Sequence, residues 1–547
     1  MPRRVSAELK FGPTKTFGPT LAVALLVAAA AGVLAQAPQA YDLIIRNARI
    51  VDGTGNPWYR GEIAVKGDTI AAIAPRIASQ AARVIDAGGQ VVSPGFIDPH
   101  THASRGIFQV PTADNYVRQG VTTIFEGPDG SSPLPLRPFM EKIAALGISP
   151  NWGMFVGQGS IREAVIGRAD RKATPDEIAT MKALVRAGMR DGAFGLSTGL
   201  FYVPGIFTPT DEVIALAAVA GEMGGMHVSH MRNEAAGILD SVKETIAVGE
   251  QGHMPTQITH HKIIGTKNWG RSVETLRLVA EARARGVDVT IDQYPYTASS
   301  TGINALLPSW ALEGQQADVV AKLRDSAQRA KIKQAIIDSL MYDRGGGDPT
   351  NVQIASCGWD PSLAGKNLSE ITRARGAEAT MENAAETVMW MVEQGGASGI
   401  FHAIDEADLE RILQDPVTMI ASDGEVPIFG RASPHPRSYG TFVRVLGRYV
   451  RERHVITLAD AVRKMTSFPA QRVGLLDRGV LRPGMKADVA IWDADAIADK
   501  ATYDQPHQYA AGVHTVIVNG QIVFENGKMT PARPGKVLYG PACRAAQ

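Results

Sequence analysis

The stretch VVSPGFIDPHTH, Val91 to His102, decides how this chain is read. Apolar, β-branched residues lead through Pro-Gly into a second apolar pair and end on two histidines spaced one residue apart. In an extended segment residues i and i+2 face the same way, so His100 and His102 can ligate one metal while Thr101 faces the other side. A strand ending on such residues suits a (β/α)8 barrel, whose catalytic groups sit at the carboxyl ends of several strands.

Seven further short apolar strands follow, alternating with amphipathic helical stretches, as a parallel α/β sheet requires. Counting Val91 to Asp98 as the first, the others are Val121 to Gly127, Asn151 to Gly157, Ala193 to Gly199, Gly225 to His230, Thr256 to His261, Val287 to Tyr296 and Val417 to Gly424. Helices are expected over Pro175 to Met189, with Thr174 as N-cap, over Asp211 to Met223 and over Ser272 to Arg285. Eight strands favour a closed barrel, residues 93–475, over an open doubly wound sheet, which is the alternative. The long gap before the last strand predicts an inserted, lid-like segment over residues 303–366, helical near Val319 to Leu340 and broken at Gly345 to Gly347.

Strand texture of another kind lies at both ends. Tyr41 to Val51, Gly61 to Ile73, Ala487 to Asp493 and Val513 to Phe524 alternate as antiparallel strands do, and Asn519-Gly520 marks a hairpin turn. Neither end alone supplies enough strands to cover a face, so residues 38–92 and 476–547 are expected to build one composite β-sandwich domain, with two separate appendages as the alternative.

Composition narrows the partners. With a net charge of +1 and a pI near 7.8, the 547-residue chain has no one-sign field to recruit nucleic acid, and small polar molecules suit it better. Arg3, Arg4, Lys10 and Lys15 precede an apolar run from Leu21 to Ala35 and the sequence Ala35-Gln36-Ala37. The run falls short of the roughly 20 residues of a permanent span. Residues 1–37 therefore read as a secretory signal, giving a periplasmic or secreted protein with no stable membrane span after cleavage; an uncleaved anchor is the alternative. Cys357 and Cys543 are too few for a disulfide scaffold or a thiolate metal cluster.

The strand ends carry the chemistry. Seven of the eight end on polar residues: His100 and His102, Glu126, Ser197, His230, His260 with Lys262, Tyr294 with Tyr296, and Asp423. One strand-end histidine is unremarkable, but four with two acids at one barrel mouth point to metal. Imidazole and carboxylate donors without thiolate favour zinc, though other divalent metals accept the same set. Ser197 and Tyr202 are candidates to line the pocket, and Ser197 is no nucleophile because no Gly-x-Ser-x-Gly elbow surrounds it. Lys262 and Arg437 could grip a carboxylate beside the metal.

In this order the motifs PGFIDPHTH, GLSTGLFYVPG (Gly195 to Gly205), SHMRNE (Ser229 to Glu234), THHK (Thr259 to Lys262), YPYTASST (Tyr294 to Thr301), ASDG (Ala421 to Gly424) and HPRSYGTF (His435 to Phe442) resemble the amidohydrolase superfamily, and within it the N-acyl-D-amino-acid deacylases. The resemblance covers nearly all of the chain after the signal. It implies one metal site of His100, His102 and Asp423, a second of His230 and His260, Asp423 as general base, and a carboxylate grip of Lys262, Arg437, Tyr294 and Ser300. Where the deacylases have a cysteine ligand after the second strand, this chain is expected to use Glu126, a carboxylate able to bridge two zinc ions; orienting a ligand histidine is its alternative role. The implied reaction is metal-dependent hydrolysis of N-acyl-D-amino acids, small amides bearing a carboxylate, to a D-amino acid and a carboxylate. A dipeptidase releasing a C-terminal D-residue, a cyclic amidase and a non-catalytic metal binder are the competing readings. Against the cyclic amidase, this chain has no lysine at the strand end where such sites carry a carboxylated one, and an intact Asp423 argues against the binder.

Overall fold

The computed structural model describes residues 41–544, so the expected signal at 1–37 lies outside the described residues. The opening stretch divides at Gly95 instead of forming one strand over 91–98. Val91–Pro94 pairs antiparallel with Val489–Trp492 in the small domain, whereas Phe96–His102 pairs parallel with Val121–Glu126 in the barrel. A Cβ on Gly95 would lie 2.2 Å from the Thr122 side chain, so only glycine lets the chain pass from one sheet to the other here.

The barrel strands are β1 (Phe96–His102), β2 (Val121–Glu126), β3 (Asn151–Met154, resuming at Val156–Gly157), β4 (Gly195–Gly199), β5 (Met226–His230), β6 (Thr256–Ile258), β7 (Val289–Gln293) and β8 (Thr418–Ile420, resuming at Gly424–Glu425). All pair in parallel. The ring closes through the two interrupted strands: Val156 and Gly157 pair with β4, while Gly424 and Glu425 pair with Thr101 and His102 of β1. Helices cover the outside, among them Pro175–Asp191, Thr210–Glu222 and Ser272–Ala284. The first begins with a capping box in which the Thr174 hydroxyl accepts from Glu177 N and the Glu177 carboxylate accepts from Thr174 N.

Strands from both chain ends join in a single nine-stranded sheet, because Val91–Pro94 bonds to Tyr41–Ile50 on one side and Val489–Trp492 on the other. Its apolar face buries Leu43, Ile45, Ile63, Val65, Val92, Val489 and Ile517 in one core. The segment read as one strand over Gly61 to Ile73 is a hairpin of Tyr59–Lys66 and Thr69–Ala74, turned at Gly67 with φ +59°. Asn519 and Gly520 turn the other expected hairpin, both with positive φ, as its two-residue turn requires.

The inserted unit is longer than residues 303–366. Ser299–Gly302, Val352–Ser356 and Ser398–Phe401 form an antiparallel sheet, and a separate core runs from Ile303 to Phe401. Its last part, helix Met381–Glu393 followed by strand Ser398–Phe401, has the texture of a barrel repeat but pairs within the insertion. The expected long helix is two, Gln316–Arg324 and Ser326–Tyr342, divided where Asp325 caps the second by accepting from Gln328 N. Cys357 and Cys543 are both buried and free.

Candidate metal centre

The β1 alternation brings His100 and His102 to the mouth together. His102 Nε2 lies 3.1 Å from Asp423 Oδ1 and 3.3 Å from Asp129 Oδ2, and His100 Nε2 lies 3.5 Å and 3.4 Å from Asp423 Oδ1 and Asp129 Oδ1. From β5 and the turn after β6, His230 Nδ1 and His260 Nε2 approach within 2.6 Å of each other and lie 3.7 Å and 3.6 Å from Asp129 Oδ1. Two donor clusters result, His100, His102, Asp129 and Asp423 on one side and Asp129, His230 and His260 on the other, with Asp129 common to both.

These residues fit a pair of cations. Among the described residues His100 Nε2 and Asp129 Oδ1 are buried without a hydrogen-bond partner while facing each other across the site, a costly state that a bound ion would relieve. Two of the contributing residues hold strained backbone: Asp423 has φ +50° and His260 φ +36°, a region that residues with a Cβ seldom adopt and that collects at functional sites. The Asp423 turn is pinned where its N–H donates to His100 O at 2.9 Å. Burial would raise the Asp129 and Asp423 carboxyls, but His100 and its neighbours at Asp129, and Arg437 with His100 at Asp423, hold both well below the usual carboxylate range.

Glu126 stands at the end of β2 and lines the cavity, yet it belongs to neither cluster. Its carboxylate accepts from Ser104 N at 3.0 Å and Ser104 Oγ at 2.8 Å. Asp129, three residues along the same loop, occupies the shared position expected of Glu126. The loop reaches it by close packing: a Cβ on Gly130 would fall 2.4 Å from Gly199 N, and Gly130 N donates to Ser197 Oγ at 3.1 Å. Ser197 is therefore fully buried behind the mouth, where it holds the Asp129 loop instead of lining the pocket.

Residues 147–524 match the amidohydrolase family. The chain belongs to the amidohydrolase family. It is 35% identical to D-aminoacylase of Alcaligenes xylosoxydans xylosoxydans over 91% of this chain and 98% of that one. A solved D-aminoacylase, studied for its binuclear metal centre, superposes with TM-score 0.78 at 35% identity, covering 91% of this chain and all of the other. N-acyl-D-glutamate deacylase from Bordetella bronchiseptica, solved with zinc and a phosphonate mimic of the tetrahedral intermediate, gives TM-score 0.78 at 33% identity over 92% of this chain and all of that one.

The remaining residues of the amidohydrolase site line a cavity of about 780 Å³. Arg437 NH1 lies 2.7 Å from Asp423 Oδ2, its guanidinium sits 4.8 Å from the Tyr294 ring centre, and its other arm points to Ser300 O at 3.5 Å. The buried Tyr294 hydroxyl has no partner. Tyr202 stacks near His230 with ring centres 4.5 Å apart and its hydroxyl accepts from Thr301 at 3.3 Å. Lys262 lines the same wall, but its ammonium is engaged: it donates to Glu234 Oε1 at 2.5 Å and lies 2.7 Å from His260 Nδ1. Burial pushes the Lys262 amine down, and Glu234 opposes that shift.

Sequence reasoning passed over Asp129 and Glu234. Glu234 lies 3.1 Å from His260 Nδ1, placed to fix the ring so that Nε2 faces the centre. Its signal was present, since it closes the SHMRNE motif. Asp129 was hidden in Pro128-Asp129-Gly130, which reads as a turn; an acid just beyond the end of a barrel strand was the available clue.

Proposed function

We infer that this amidohydrolase cleaves the amide bond of N-acyl-D-amino acids by metal-dependent hydrolysis. The observation that carries the reading is Asp129 between two sets of ligand residues, with the guanidinium of Arg437 beside Asp423. Likeness over 91% of the chain to D-aminoacylase and over 92% to N-acyl-D-glutamate deacylase supports the substrate class. His100, His102, Asp129 and Asp423 would hold one zinc ion and Asp129, His230 and His260 a second. When bound, zinc supplies Lewis-acid polarisation of the acyl carbonyl and makes water easier to deprotonate.

The protein's own groups do the rest. Arg437, with the free Tyr294 hydroxyl and Ser300 beside it, receives the substrate carboxylate and so fixes the amide against Asp423. Lys262, which donates to Glu234 Oε1 and to His260 O, helps hold His260 in place. Asp423 takes the proton of the attacking water and returns it to the amine nitrogen as the C–N bond breaks, leaving a carboxylate and a free amino acid. The charge of Arg437 beside Asp423 keeps that carboxyl ionised but weakens it as a base, and engagement of Arg437 by the substrate carboxylate offsets that effect.

The test is zinc analysis coupled to a chirality-resolved assay on N-acetyl-D- and N-acetyl-L-amino acids beside dipeptides ending in a D-residue. The expected result is about two zinc ions per chain and release of D-amino acids from the acetylated substrates. Preferential cleavage of L substrates or of dipeptides overturns the reading. We also propose export, supported by the basic and apolar sequence of residues 3–37. No helix among the described residues is long and apolar enough to cross a membrane. Fractionation of expressing cells should place the cleaved protein outside the cytoplasm.

A further inference from the structure

Arg344 has no role in the chemistry above, yet it faces the same cavity. Its side chain is 7% exposed. Among the described residues its guanidinium makes no hydrogen bond, and its nearest carboxylate oxygen, Glu234 Oε2, is 3.8 Å away, beyond hydrogen-bonding reach. The other oxygen of Glu234 is committed to Lys262 and His260. The guanidinium carbon lies 4.4 Å from the centre of the Phe201 ring, a cation–π contact that uses none of its N–H donors as hydrogen bonds.

The backbone that presents Arg344 is firmly built. Gly345 N donates to Ser339 O and Gly347 N to Leu340 O, while Asn351 Nδ2 donates to Gly345 O at 3.1 Å. A Cβ on Gly345 would fall 2.3 Å from Leu340 O, so the turn after helix Ser326–Tyr342 has one close-packed form. A buried arginine held rigidly with unused donors is an anion receptor, because guanidinium loses hydration on burial and recovers it only by charge-assisted hydrogen bonds.

The cavity thus holds two buried guanidinium groups with different duties. Arg437 sits against Asp423 and serves the carboxylate next to the scissile amide. Arg344 sits on the His230 side, close to Phe201 and Glu234. We propose that Arg344 is a specificity-determining residue that binds a second carboxylate of the substrate, so that the preferred substrates are N-acyl amino acids carrying two negative charges. The inference rests on the deacylase reading. The second carboxylate comes either from an acidic amino-acid side chain or from a dicarboxylic acyl group.

The zinc-loaded enzyme, as wild type, Arg344→Met and Arg344→Lys, is assayed on N-acetyl-D-glutamate, N-succinyl-D-methionine and N-acetyl-D-methionine. For the wild type, one of the two dianions, which identifies the source of the carboxylate, should exceed N-acetyl-D-methionine in kcat/KM by about 50-fold, as one or two charge-assisted hydrogen bonds supply. Arg344→Met should abolish that preference through KM, leave kcat and the neutral substrate within about threefold, and Arg344→Lys should restore part of it. Equal loss on all three substrates, or a wild type that favours N-acetyl-D-methionine over both dianions, overturns the proposal while leaving the deacylase reading intact. The wild-type ranking decides even where a variant fails to fold. Hydrolysis of none of the three overturns the deacylase reading and the proposal with it.

Discussion

β5 carries two histidines three residues apart whose surroundings are opposite. His227, within the strand, has both ring nitrogens satisfied, Nε2 by Thr198 Oγ1 at 2.9 Å and Nδ1 by Thr256 Oγ1 at 2.8 Å. His230, at its end, faces His260 and Asp129, and His100 across the barrel has neither nitrogen paired. The lower tier is paired by its own neighbours, as a structural core demands. The mouth tier leaves His100 Nε2 and Asp129 Oδ1 unpaired and facing each other at 3.4 Å, and is completed only by something these residues do not themselves provide. Burial alone does not separate the tiers; the accounting of polar atoms does.

Four substitutions probe that division. Asp423→Asn removes the proposed general base and should lower kcat by about 10³-fold with unchanged far-UV circular dichroism. Turnover near wild type would remove Asp423 from the reaction. Asp129→Asn should reduce bound zinc to one ion or fewer per chain and cost about 10²-fold in kcat/KM, since the shared ligand serves both clusters. Two tightly held ions in that variant would mean that Asp129 is not the bridge. Glu126→Gln, by contrast, loses only bonds to Ser104 and should keep two zinc ions and activity within about tenfold. A large zinc deficit there would return Glu126 to the ligand set.

The lower tier is tested by pH. Burial, aided by Arg472, pushes the His227 imidazole down to about 3, against an unfolded value near 6.5. Between those values the unfolded chain binds the additional proton. Stability from this group is therefore complete above pH 6.5 and falls as the pH drops towards 3. The decrease in Tm from pH 7 to pH 4.5 should be smaller in His227→Asn than in wild type, by about 2 °C. Equal decreases would show that His227 is not carrying the acid sensitivity.

Much of this arrangement was legible in residue order. The i, i+2 histidines, the capped helix at Thr174 and the Asn519-Gly520 turn are local patterns whose physics is complete within a few residues. What escaped depends on distant partners. The division at Gly95 is set by Thr122, and the final strand of the insertion resembles a barrel strand until its pairing partner is known. Asp129 and Glu126 are chemically alike and three residues apart, and only the packing of Gly130 on Gly199 aims one of them at the histidines. Ser197 was misread for the same reason, since a buried hydroxyl and a pocket hydroxyl have one sequence signature.

The pairing of Val91–Pro94 with Val489–Trp492 also sets a clock. A strand made early waits for a neighbour encoded roughly 400 residues later, on the order of tens of seconds at ordinary rates of synthesis. Throughout that interval the amino-terminal strands present an open edge, and β1, with its histidines, stays tethered to an unfinished sheet. The small domain is therefore among the last parts of the nascent chain to settle, and a ribosome that stalls late leaves the metal ligands synthesised but the scaffold beneath them unclosed.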